Sequence, residues 1–138
     1  LGGLWVPCAH RVVAHSDGDI VLHAIMDAML GALALGDIGQ LFPDTAASFQ
    51  GADSAELTRE VRSLCLAKGY SVSNLDVTIL CEVPKIAPIR ETMRQCIADV
   101  LETVVDQISV KATTTEQLGF IGRGEGIAVM ASVLMRAH

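Results

Sequence analysis

The chain has 138 residues, a size that suits one domain, and its 51% hydrophobic content is ample for a packed core. A net charge of -6 excludes nucleic-acid backbones and anionic membrane surfaces as partners, because both are bound through clustered Lys and Arg. Cys8, Cys65, Cys81 and Cys96 form no Cys-x-x-Cys pair, and the last three fall in core-like segments, so free thiols in a reducing compartment are expected.

Leu1 to Pro7 reads as the middle of a structure rather than as a signal or transit peptide. Short strands are predicted at Leu4 to Val6 and Arg11 to Ala14, flanking a turn at Pro7 to His10, with His10 solvated there. A helix follows, capped by Ser16 or Asp17 and ending near Gly36. Its apolar stretch from Ile20 to Leu35 is shorter than the roughly 20 residues that cross a bilayer and is interrupted by His23 and Asp27, so a buried helix is expected. Gly36 to Thr45 holds too many breakers for regular structure and is a candidate substrate loop. Leu57, Val61, Leu64 and Cys65 recur at helical spacing, which predicts a helix from Ser54 to Ala67 ended by Lys68-Gly69. Val77, Ile79 and Cys81 alternate with Asp76, Thr78 and Glu82, predicting a strand over Leu75 to Val83. A helix from Pro88 to Glu102 and strands at Ile108 to Ala112 and Gly126 to Met135 complete the chain.

The class is therefore α/β or α+β, one domain with a small mixed sheet and its helices on one face. Three helices cannot cover both faces of that sheet. The remaining apolar face wants a partner, which a homo-oligomer would provide.

Four stretches carry candidate chemistry. Asp19, His23 and Asp27 repeat at i, i+4 and form one polar stripe on an apolar helix. The stripe is either structural or a metal site in which His23 is the ligand and Asp27 or Asp19 supports its other ring nitrogen. His15 and Ser16 precede this helix, where negative charge is favoured. Thr113, Thr114, Thr115 and Glu116 follow a strand; Thr113 and Glu116 match a capping box, which leaves the run of hydroxyls unexplained and suits phosphate. Cys81 to Ala87 leaves a strand and turns at Pro84, exposing backbone groups, with Lys85 solvated or functional. Gly119 to Gly126 lacks the Lys-Ser/Thr of a P-loop and reads as a turn with an Arg123 to Glu125 ion pair.

His15-Ser16-Asp17-Gly18-Asp19 with His23, Lys111-Ala112-Thr113-Thr114-Thr115-Glu116, and Gly122-Arg123-Gly124-Glu125-Gly126 together resemble the 2C-methyl-D-erythritol 2,4-cyclodiphosphate synthases of non-mevalonate isoprenoid biosynthesis, in register over essentially the whole chain. The resemblance implies a homotrimer with its sheets around a three-fold axis. It also implies cyclisation of 4-diphosphocytidyl-2C-methyl-D-erythritol 2-phosphate with release of CMP. His23 would ligate zinc, with the family's other two ligands in an Asp-x-His motif that this sequence does not contain. Glu116 would hold magnesium or manganese, and His15 and Thr114 would steady the transition state. Thr113 and Thr114 would bind the diphosphate, and Thr115 would contact the substrate beside them.

Cys81, Glu82, Val83, Pro84, Lys85, Ile86 and Ala87 would form the cytidine pocket, mostly through the main chain. His15 and Ser16 would contact the substrate, and Asp37, Ile38, Gly39, Phe42, Pro43, Asp44, Thr45 and Ala46 would cover its methylerythritol phosphate part, Ala46 standing where relatives often carry an acid. Phe120 and Arg123 would line a central cavity able to hold isoprenoid diphosphates. The implied location is the bacterial cytoplasm, or a plastid-type compartment. The alternative is a non-catalytic trimer that binds cytidine nucleotides or isoprenoid diphosphates.

Overall fold

The computed structural model describes residues 1–6, 8, 18–43 and 53–138. The expected strand at Arg11 to Ala14, the solvated His10 and the caps Ser16 and Asp17 lie outside the described residues. Helix α1 (Ile20–Ala32) starts after Asp19, whose carboxylate accepts from the Leu22 N–H at 3.1 Å. This corrects the expected start: the cap is Asp19. Val21, Leu22, Ile25, Met26, Met29 and Leu30 give the helix a fully buried face. The helix ends at Ala32 rather than near Gly36, because the next residues close a turn in which Ala34 takes a φ of 56°.

Leu4 to Val6 forms no strand. The chain turns instead at Gly2 and Gly3, both at positive φ, and Leu4 N–H donates to the Leu1 carbonyl at 2.9 Å. A Cβ on Gly2 would lie 2.5 Å from Met93 Cγ, so only glycine can pack there. The stretch expected to be irregular contains a short helix, α2 (Ile38–Leu41). Two carboxylates overcome its breakers: Asp37 accepts from Gln40 N–H at 2.9 Å, and Asp27 on α1 accepts from Ile38 N–H at 2.9 Å.

Helix α3 (Ser54–Ala67) has the predicted bounds, with Asp53 as its cap. Strand β1 (Tyr70–Leu80) begins earlier and stops sooner than Leu75 to Val83. Its polar first half is recruited by pairing, since Tyr70 lies opposite Ala137, with a bulge between Val72 and Asn74. A single 3-10 turn at Ala87–Ile89 leads into α4 (Arg90–Leu101), so the expected helix starts slightly later than Pro88. Strand β2 (Ile108–Thr113), a short helix α5 (Gly119–Gly122) and strand β3 (Ala128–Ala137) follow. The sheet order is β2-β1-β3, with β1 parallel to β2 and antiparallel to β3, which makes it a mixed sheet in an α+β domain.

One face of this sheet packs under the helices. Leu75, Val77 and Ile79 of β1 are fully buried there with Met93 and Ile97 of α4 and Val61 of α3. Each such side chain contributes about 1.5–3 kcal/mol by leaving water. The opposite face carries Thr78, Lys111, Met130, Ser132 and Leu134, and Met130 and Leu134 are each 61% exposed. It is less apolar than expected, because an Asp76 to Lys111 ion pair of 2.8 Å crosses it. No helix among the described residues is long and apolar enough to cross a membrane.

Candidate functional site

The parallel register sets Leu80 of β1 beside Thr113 of β2, so the segments that leave these strands emerge next to each other. Carboxyl ends of neighbouring parallel strands are where α/β sheets hold ligands. Cys81 N–H donates to the Thr113 carbonyl at 3.1 Å, and Glu82 Oε1 accepts from the Gln117 N–H at 3.0 Å. Two stretches 35 residues apart, picked separately from the sequence, thus form one surface.

Residues 114–118, which follow the last residue of β2, form a tight turn rather than the start of a helix, which corrects the capping-box pattern. Thr113 Oγ1 donates to the Thr114 carbonyl at 3.1 Å, Thr114 Oγ1 accepts from Glu116 N–H at 3.2 Å, and Thr115 Oγ1 donates to the Leu118 carbonyl at 2.7 Å. Glu116 and Gln117 take left-handed φ values of 53° and 64°. Neither is glycine, so each costs about 1–2 kcal/mol, and the surroundings must hold them there. The turn offers hydroxyls and amide groups with the exposed Glu116 carboxylate beside them.

Along the 81–87 stretch, Lys85 is exposed, Val83 is 41% exposed and Ile86 is buried as an anchor. Cys81 Sγ donates to the Pro84 carbonyl at 3.4 Å. Burial pushes the Cys81 and Cys65 thiols up from their ordinary range, so both stay protonated near neutrality and serve as packing groups. All four cysteines are free, as expected; Cys65 and Cys81 are buried, Cys96 is half-buried and Cys8 is exposed.

The helix side is built differently. His23 is half-buried on α1, and its Nε2 lies 3.1 Å from Ser54 Oγ, a fully buried group at the start of α3. Asp19 accepts from Gly2 and Gly3 N–H at 2.8 and 2.7 Å in addition to its capping bond, and Asp27 holds the start of α2. The polar stripe therefore has structural duties at both ends with an imidazole between them. Phe42 is buried, whereas Asp37, Gly39 and Pro43 are exposed and Ile38 is half-buried. His15, Ser16, Asp44, Thr45 and Ala46 lie outside the described residues.

Tested for metal, the described residues offer no group of three His, Cys, Asp or Glu side chains that converge. They do not by themselves make a zinc cage. Glu116 suits magnesium better, because that ion takes one carboxylate together with phosphate oxygens and water.

At the other proposed surface, Arg123 Nε donates to Glu125 Oε1 and Oε2 at 2.7 and 3.1 Å, so the expected ion pair is formed. Phe120 is 54% exposed, and its ring lies 3.1 Å from where a Cβ on Gly126 would be. A recess of about 320 Å³ opens between α4 and β2, lined by Asn74, Arg90, Arg94 and Ile108 among others; it contains none of the candidate site residues. Sequence reasoning took Glu82 only as part of a main-chain stretch and missed its side-chain bond to the turn.

A model of the YgbB family matches residues 1–136. A curated relative from Acinetobacter baylyi, named 2-C-methyl-D-erythritol 2,4-cyclodiphosphate synthase, is 59% identical over 135 residues, covering 98% of this chain and 83% of the relative. Among solved structures, the bifunctional IspDF from Campylobacter jejuni superposes with a TM-score of 0.95 at 41% identity, over 99% of this chain and 37% of that one. The Plasmodium falciparum IspF CDP complex gives a TM-score of 0.81 at 41% identity, over 91% of this chain and 75% of that one.

Proposed function

This chain belongs to the YgbB family and has the activity of a 2-C-methyl-D-erythritol 2,4-cyclodiphosphate synthase, and from that premise we infer how its residues share the reaction. The substrate's 2-phosphate oxygen attacks the β-phosphorus of the cytidine diphosphate group. A phosphorus–oxygen bond closes the ring, and the bond to CMP breaks with its electrons leaving on the CMP phosphate. The names of the relatives favour this enzyme over a non-catalytic binding trimer.

Phosphoryl transfer of this kind needs alignment and charge neutralisation more than covalent help. The 81–87 stretch would hold the cytidine through its backbone. Thr113 and Thr114 would hold the diphosphate, with Thr115 beside them and Thr114 facing the charge that develops at the transition state. Bond formation between Cys81 and Thr113 at the paired strand ends carries this reading, since it keeps the two binding segments in contact within one chain. His15 and Ser16 would contact the substrate, and Asp37, Ile38, Gly39 and residues 42–46 would seat its methylerythritol phosphate end.

His23 would act as one ligand to a zinc ion, with the other donors drawn from outside the described residues. Glu116 would hold magnesium or manganese, which when bound offsets charge on the phosphates. The homotrimer is supported by the sheet face that carries exposed Met130 and Leu134. Phe120 and Arg123 would line its axis, where an isoprenoid diphosphate could sit, and a cytoplasmic location suits the free thiols. CMP release by the full-length protein, measured after chelation and again after adding zinc, magnesium or both, tests the metal roles. Turnover should vanish on chelation and return fully with both ions; full turnover in chelator would overturn the metal assignment.

A further inference from the structure

The turn at residues 114–118 is strained, and its local bonds do not explain why it stays so. The bonds of Thr114 and Thr115 reach only Glu116 and Leu118, within the turn itself. Gln117, at a φ of 64°, is gripped from two other directions. Its N–H donates to Glu82 Oε1 at 3.0 Å, and among the described residues no other hydrogen bond joins residues 114–118 to a distant part of the chain. On another side, Gly122 of α5 sits flush against the Gln117 peptide. A Cβ there would fall 2.1 Å from the Gln117 carbonyl carbon and 2.7 Å from its Cα and O. Consecutive left-handed residues persist only when their surroundings over-determine them, and Glu82 and Gly122 are the groups that do so.

Glu82 has a second connection. It belongs to the 81–87 stretch, between Cys81, which bonds to Thr113, and the turn at Pro84. A single carboxylate therefore spans from the segment assigned to cytidine to the turn assigned to diphosphate. We propose that Glu82 is a positioning residue that fixes these two subsites relative to each other, with Gly122 as the backstop. It does so without contact to the reacting phosphorus. The carboxylate's negative charge brings nothing to a site for an anionic ligand, so the acceptor oxygen is the useful part, and an amide should replace it. This role rests on the assignment of the two segments to cytidine and diphosphate.

The test is calorimetry of CMP and CDP with the full-length protein. CMP reports on the cytidine segment, and the extra phosphate of CDP reports on the turn. Wild-type protein should bind CDP more tightly than CMP. Glu82→Ala should shrink that CDP-to-CMP affinity ratio by about 5- to 10-fold, the size expected for one hydrogen bond. Glu82→Gln should restore the ratio to within about twofold. Gly122→Ala, which presses on the same peptide without touching Glu82, should lower the ratio as Glu82→Ala does. A ratio unchanged in both Glu82→Ala and Gly122→Ala would overturn the positioning role while leaving the subsite assignment intact. A wild-type protein that binds both nucleotides equally would overturn the subsite assignment and the proposal with it.

Discussion

Residues 81–87 and 113–118 leave two parallel strands side by side and bond to each other, whereas His23, Asp27 and Asp37 lie along helices and are fixed by caps and by the Ser54 hydroxyl. The strand-end half owes its shape to the β1–β2 ladder, to Glu82 and to Gly122, all within one chain. The helix half presents one imidazole and, among the described residues, no group of three His, Cys, Asp or Glu side chains that could hold a metal. A phosphate-holding surface can be built in advance by backbone geometry, while a metal site depends on how many ligands reach it.

Replacing His23 separates the halves most sharply. His23→Ala should lower CMP release by about 10³-fold, the scale of losing a principal electrostatic contributor, while CMP affinity and the melting temperature stay near wild type. Retention of the wild-type rate would overturn the zinc-ligand role proposed for His23. The next largest effect concerns assembly. Leu134→Glu places a charge on the outer sheet face and should weaken self-association by about 100-fold or more without unfolding the chain, since that side chain is already 61% exposed. Sedimentation at micromolar concentration checks this, and an unchanged oligomer would show that this face is not the contact.

Thr114→Ala removes one hydroxyl and the acceptor for Glu116 N–H, so kcat/KM should fall about 10- to 30-fold with CMP affinity unchanged. An equal loss in CMP affinity would mean that the two halves of the strand-end surface are not separable. The smallest effect is at Asp76, whose carboxyl is held below its ordinary 3.8 by hydrogen bonds from Lys111 and then Ser109. A depressed folded value stabilises the protein above pH 3.8, and the contribution is lost as pH falls through the lower folded value. The Asp76 side chain is 39% exposed, so Asp76→Asn should cost less than about 1 kcal/mol at neutral pH and nothing in strong acid. Denaturant midpoints across pH measure it; a difference that grows towards acid would contradict the ion-pair account.

What could be read from the sequence divides along the same line between local and distant causes. Helix α3 has its predicted bounds because Leu57, Val61 and Cys65 encode its buried face and Lys68-Gly69 ends it locally. Helix α2 escaped notice because its first amide is held by Asp27 from another helix. The early start of β1 depends on pairing with β3, so nothing in Tyr70 to Asn74 alone announces a strand. The hydroxyl run of Thr113 to Thr115 was visible as a phosphate candidate. Its conformation was not, since the bond from Gln117 to Glu82 and the close approach of Gly122 come from other segments. The stripe of Asp19, His23 and Asp27 was visible as a stripe, yet spacing alone could not assign its outer members to the cap and to α2.

The most direct measurement is phosphorus NMR of the products formed when the full-length protein, with zinc and magnesium, meets 4-diphosphocytidyl-2C-methyl-D-erythritol 2-phosphate. The expected result is a pair of coupled signals from a cyclic diphosphate, in equal amount to CMP. CMP accompanied by an open-chain phosphate would mean that water rather than the 2-phosphate attacks the β-phosphorus, and would contradict the cyclisation that this chain's strand-end surface is held to align.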